Sequence, residues 1–233
     1  MFVPIGDDNP LKSIRFQYVT VGLILVNVAV YLLEAASAPA RDLTSSFAVV
    51  PQELFQVNVL GGPAPISTDQ LAIPERDTLF TYMFFHGDIM HLFGNMLFLW
   101  VFGDNVEDAM GHFRYLVFYL ACGVSAALVH AVMLPASQDG LIGASGAISG
   151  VIAAYLMMHP RVGVWVLVLK IIPLRISAAM ALGFWIAFQC ALVVFPAAGD
   201  TGPTAWWAHI GGLITGALLI LVMRRPGVPL FGR

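Results

Sequence analysis

The sequence predicts an all-α polytopic membrane protein with six transmembrane helices and both termini in the cytoplasm. Three observations carry this. Of 233 residues, 59% are hydrophobic and 11% charged, and the mean hydropathy is +0.83, far from the balance of a soluble globular domain. Six segments lack Lys, Arg, Asp and Glu, each about long enough, at ~1.5 Å per helical residue, to cross a hydrocarbon core of ~30 Å. Nine of the eleven Lys and Arg residues fall in connections on one side, and positive residues are retained on the cytoplasmic face.

Residues 1–15 form a cytoplasmic N-terminal segment carrying Lys12 and Arg15. The first span, Phe16 to Leu33, is too long in its apolar stretch and too weak in its cleavage signal to read as a secretory leader. A long connection of about 34–88 follows, broken by Pro39, Pro51, Gly61, Gly62, Pro63, Pro65 and Pro74 and holding Arg41 and Arg76. Within it, Pro51 to Val57 and Phe80 to Phe85 read as interfacial helices or turns on the outer leaflet.

The second span, Ile89 to Gly103, is short and must borrow flanking residues. Tyr115 to Leu134, Leu141 to His159, Ile176 to Phe195 and Ala205 to Met223 complete the set, with Arg114, Arg161, Lys170 and Arg175 in the inner connections. Val162 to Pro173, broken by Lys170, reads as a surface-lying or re-entrant piece rather than a seventh span. Residues 224–233, with Arg224, Arg225 and Arg233, form a cytoplasmic tail, so that 16–223 is one six-helix domain.

Several function classes drop out. The net charge of −3 and the absence of a basic stripe interleaved with aromatics argue against nucleic acid. Cys122 and Cys190 both fall inside spans, so no disulfide framework follows. The six histidines form no convincing metal cluster and no H-E-x-x-H is present; paired buried aspartates are also missing, and no cofactor is expected.

What remains is polar chemistry where it is costly. H-G-D-I-M-H-L-F-G-N in the second span carries His86, His91 and Asn95; G-A-S-G in the fourth carries Ser145; A-H-I-G-G-L-I-T-G in the sixth carries His209. His91, Asn95, Ser145 and His209 lie toward the beginnings of even-numbered spans, hence in the outer half of the bilayer. If His159 marks the inner boundary, Ser145 lies ~21 Å above it and ~9 Å beneath the outer surface. His91 and Asn95, four apart, share one helix face, whereas His86 and His91 differ by about 140° and make no i, i+4 metal pair.

A serine beside an imidazole is a nucleophile with its base, and His and Asn side chains are donors for an oxyanion. Taken alone, Gly143, Gly146 and Gly150, and Gly212 with Gly216, are what close helix packing in membranes needs. Packing explains the glycines but not the imidazoles.

These motifs, H-x-x-x-N, G-A-S-G and A-H-x-x-G-x-x-x-G in that order, resemble those of the rhomboid family of intramembrane serine proteases. Glu107 and Gly111 match a further E-x-x-x-G pattern of that family, and the likeness runs from about Phe80 to Gly216. The resemblance implies a six-helix rhomboid-like bundle and a Ser-His dyad without a catalytic carboxylate. Ser145 would be the nucleophile and His209 the base. His91, Asn95 and the Ser145 N–H would bind the oxyanion, with Gly143 and Ala144 in the loop feeding that helix and His86 in support. Substrates would be transmembrane proteins, met in the lipid bilayer of a bacterial inner membrane.

Two departures stand out. Ser149 occupies the position where an aromatic often packs on the catalytic imidazole, and the Trp-Arg pair often found in the first loop is missing. The competing readings are a non-proteolytic rhomboid-like protein that binds membrane clients, and a transporter, which would need charge pairs or repeat symmetry that the chain lacks.

Overall fold

A computed structural model describes residues 2–37, 44–55, 71, 73–168, 171–195 and 205–232. In chain order the elements are β1 (Phe2–Asp7), α1 (Tyr18–Ser37), α2 (Thr44–Phe47), α3 (Pro51–Phe55), α4 (Glu75–Thr81), a 3-10 turn (Tyr82–Phe84), α5 (Ile89–Met110), α6 (His112–Met133), α7 (Ser145–Met158), β2 (Gly163–Val168), β3 (Ile172–Ser177), α8 (Ala178–Val194) and α9 (Trp206–Met223). The sequence readings for Pro39, Arg41, Gly61 to Pro65, Lys170 and Arg233, and for Val57 at the end of its expected helix, lie outside the described residues.

Each of the six apolar segments contains a helix, and α1, α6 and α9 are long and apolar enough by length and composition to cross a membrane. The outward faces of α1, α6, α8 and α9 carry side chains that water would not tolerate in such numbers: Leu25, Leu33, Phe113, Phe184, Leu218 and Val222 are all exposed.

The expectation of an all-α chain is corrected. Residues 163–168 and 172–177 form an antiparallel hairpin, and β1 pairs with β2 to complete a three-stranded sheet of order β1-β2-β3. V-W-V-L-V is rich in β-branched and aromatic residues and too short to span a bilayer, so its backbone groups are satisfied by strand pairing. Pro173 is accommodated because β3 is an edge strand. Ile176 and Ser177 consequently belong to β3, and α8 starts at Ala178, capped by the Ser177 hydroxyl accepting from Met180 N–H.

The core sits where α6, α7 and α9 meet, with α5 against α7. The α7–α9 seam is nearly backbone on backbone: a Cβ on Gly212 would overlap the Gly146 carbonyl oxygen, and one on Gly216 would overlap that of Gly150. At the other end, buried Glu107 ties α5 to α1 and α6. It accepts from Val19 N–H (3.0 Å), Thr20 N–H (2.8 Å), the Thr20 hydroxyl (2.7 Å) and His112 Nδ1 (2.5 Å). Neighbouring Asp108 accepts from the N–H groups of Lys12, Ser13 and Ile14, pinning the chain between β1 and α1. Gly111, at φ +84°, then turns the chain from α5 into α6.

Candidate active site

Ser145 is the first residue of α7 rather than a mid-span residue, because Leu141 to Ala144 are not helical. Leu141 is instead drawn into a bridge with Val49, and Gly143 N–H donates to the Tyr82 carbonyl at 2.9 Å. Tyr82 is itself fixed, its hydroxyl donating to Gly123 O at 2.8 Å. Gly143 adopts φ +108°, and a Cβ there would lie 2.7 Å from His91 Cε1 and Nε2. Only glycine lets the backbone turn that way so close to an imidazole. The loop thus delivers Ser145 to a helix N-terminus, where N–H groups of the first turn have no intrahelical acceptor.

His209 lies in the first turn of α9, across the glycine seam from Ser145. The Ser145 hydroxyl and His209 Nε2 are 2.8 Å apart. On the opposite side of the ring, Nδ1 is 2.6 Å from Gln189 Oε1 of α8. Trp185 and Trp206 flank the imidazole, each with its centroid 5.8 Å away, the former tilted by 40° and the latter edge-on at 75°. The Ser149 hydroxyl takes no part; it donates to Ser145 O at 2.7 Å inside its own helix.

From α5, capped by Asp88 accepting from Met90 and His91 N–H, come His91 and Asn95. Both line a cavity of about 510 Å³ together with Ser145, Gln189, Trp185 and His209. Asn95 Nδ2 is buried and has no hydrogen-bond partner among the described residues, which is the state expected of a donor awaiting an acceptor. His86 is not on the cavity wall. It lies behind His91 with ring centroids 5.0 Å apart at 68°, and both its nitrogens are buried without hydrogen-bond partners among the described residues. Gly146, Gly212 and Gly216 lie in the α7–α9 seam. Among the described residues no group of three His, Cys, Asp or Glu side chains is placed to hold a metal ion.

Residues 75–226 match the family model of the Rhomboid domain. The chain belongs to the rhomboid family. It is 32% identical over 152 residues to RHOMBOID-like protein 6, mitochondrial, of Arabidopsis thaliana, covering 64% of this chain and 45% of that protein. To Rhomboid protease GluP of Bacillus subtilis (strain 168) it is 29% identical over 155 residues, 66% of this chain and 27% of that protein. To Rhomboid protease AarA of Providencia stuartii it is 30% identical over 151 residues, 58% of this chain and 48% of that protein. The chain thus spans about half or less of these relatives' lengths. As a rhomboid with apolar, outward-facing helices it is an integral membrane protein.

Three site residues of this rhomboid escaped the sequence reading: Gln189, Trp185 and Trp206. Gln189 left a signal, being the only carboxamide in the fifth apolar segment. The loop Gly199 to Pro203, expected to cap the cavity, lies outside the described residues.

Proposed function

We propose that this rhomboid is a serine endopeptidase that cleaves transmembrane-anchored proteins within the bilayer. The observation that carries the proposal is the 2.8 Å approach of the Ser145 hydroxyl to His209 Nε2. His209 takes the hydroxyl proton as Oγ attacks a substrate carbonyl, then returns it to the leaving amine. The resulting acyl-enzyme is hydrolysed by a water that His209 activates in turn. Asn95 Nδ2, His91 and the Ser145 N–H receive the oxyanion, and His86 supports the His91 ring through their contact.

Hydrolysis inside a bilayer requires non-helical backbone and water at that depth. The non-helical loop before Ser145 and the cavity of about 510 Å³ fit that requirement. The helices beginning at Ile89, Ser145 and Trp206 bring these polar groups to one end of the bundle. At the other end Lys12 N–H meets Asp108, and Arg225 N–H donates to Ala109 O at 2.8 Å. We therefore read six spans over 16–223, the cleavage site facing outward, and both 1–15 and 224–233 in the cytoplasm of a bacterial cell. A rhomboid that only binds clients has no use for a nucleophile hydrogen-bonded to its base.

The test is cleavage of a purified single-span substrate by the wild-type protein and by Ser145→Ala. Labelling by a serine-reactive fluorophosphonate, lost in Ser145→Ala, separates a protease from a client-binding relative.

A further inference from the structure

We infer that Gln189 is a positioning residue for the His209 imidazole, supplying from α8 the orienting acceptor that a Ser-His dyad otherwise lacks. This rests on the proposed protease reading of Ser145 and His209.

Past Leu182, Gln189 is the sole buried side chain of α8, while its neighbours Phe188 and Cys190 are exposed. An amide buried on an apolar helix is costly unless it is paired. Its partner is His209 Nδ1, at 2.6 Å. With Oε1 as acceptor, Nδ1 carries the proton and Nε2 presents its lone pair to Ser145, the tautomer a general base requires. Trp185, one turn earlier on the same face of α8, lies against the ring and limits its tilt. Among the described residues His209 Nδ1 has no other hydrogen-bond partner, and Ser149, where an aromatic would be expected, spends its hydroxyl on its own helix.

A neutral acceptor also suits the location. It selects the tautomer without placing a carboxylate in a low-dielectric site, where an ion needs more partners than one imidazole provides.

The experiment compares wild type, Gln189→Leu, Gln189→Glu and Ser145→Ala in detergent, following kcat, KM, the pH dependence of kcat/KM and the 15N resonances of labelled histidines. Gln189→Leu should lower kcat by about tenfold with KM little changed, the loss expected for one hydrogen bond in the reacting state. It should also mix the two His209 tautomers. Gln189→Glu keeps an acceptor and should restore much of kcat, but its carboxylate favours the imidazolium, so the acid limb of the profile moves to higher pH.

A purely structural amide would lower thermal stability in Gln189→Leu and leave its His209 tautomer as it is in wild type. That result overturns the inference, and the wild-type resonances decide it even if Gln189→Leu does not fold, since an unprotonated Nδ1 in wild type overturns it as well. Cleavage by Ser145→Ala at the wild-type rate would instead remove the protease reading, while the 15N tautomer still reports on Gln189.

Discussion

The α7–α9 seam and helix α8 both touch His209, yet they are built on opposite plans. In the seam, glycines bring two backbones together until no Cβ fits between them at Gly212 or Gly216. In α8, Gly183 has open space around it, and Phe184, Phe188 and Val194 face outward. The seam sets the separation between Ser145 and His209, because close-packed backbone cannot adjust by rotamer change. Helix α8 contributes through single side chains, Gln189 and Trp185, on an otherwise apolar surface. Placement of Ser145 against His209 is thus assigned to packing, and orientation of the ring to one hydrogen bond and aromatic contact.

Substitutions that treat the two regions alike should give unlike results. The largest effect is expected in the seam. Gly212→Val forces α7 and α9 apart and should reduce cleavage by about 10²-fold or more, since displacements of ~1 Å suffice for that loss. Retention of wild-type turnover would mean that the seam does not set the Ser145–His209 distance. Asn95→Ala, which leaves the seam intact, should cost about 10² in kcat, or ~3 kcal/mol. A rate within twofold of wild type would remove Asn95 from oxyanion binding.

The matched change in α8 should do little. Gly183→Ala meets no neighbour and should leave cleavage unchanged while raising stability by at most about 1 kcal/mol, the helix-propensity difference. A loss of activity comparable to that of Gly212→Val would erase the contrast. The smallest effect is expected in the sheet. Burial raises the Asp7 carboxyl above its ordinary 3.8, with the Tyr155 hydroxyl bond acting in the opposite direction. A raised carboxyl favours the folded state most below 3.8, and that advantage is lost as pH rises through the folded-state value. Asp7→Asn keeps an acceptor for Tyr155 without the charge. Its melting temperature should therefore exceed wild type slightly near neutral pH and converge with it below 3.8. A constant difference at all pH values would exclude the carboxyl as its source.

Much of this was legible in the sequence, for identifiable reasons. The six long helices announce themselves because each contains an apolar run free of Lys, Arg, Asp and Glu, and the glycine spacing around Ser145 and after His209 marks where helices approach. Ser145, His209, His91 and Asn95 fall at one depth by their positions in the even-numbered spans, and all four side chains line one cavity. The sheet was not legible. A dozen apolar residues read equally well as an interfacial helix, and the strand that pairs with β2 lies at Phe2–Asp7, at the far end of the chain. Gln189 was missed because a lone amide in an apolar run looks like a tolerated impurity until the atom facing it is known. His86 was grouped with His91 by motif, yet it stands behind that ring rather than on the cavity wall.

The central claim is that the Ser145 hydroxyl, 2.8 Å from His209 Nε2, is the nucleophile of a peptide-bond hydrolysis. The most direct measurement is the cleavage rate of a purified single-span substrate by wild type and Ser145→Ala in reconstituted bilayers. The account predicts cleavage by wild type and none above background by Ser145→Ala, with the variant still folded. Equal cleavage by the two proteins would contradict it.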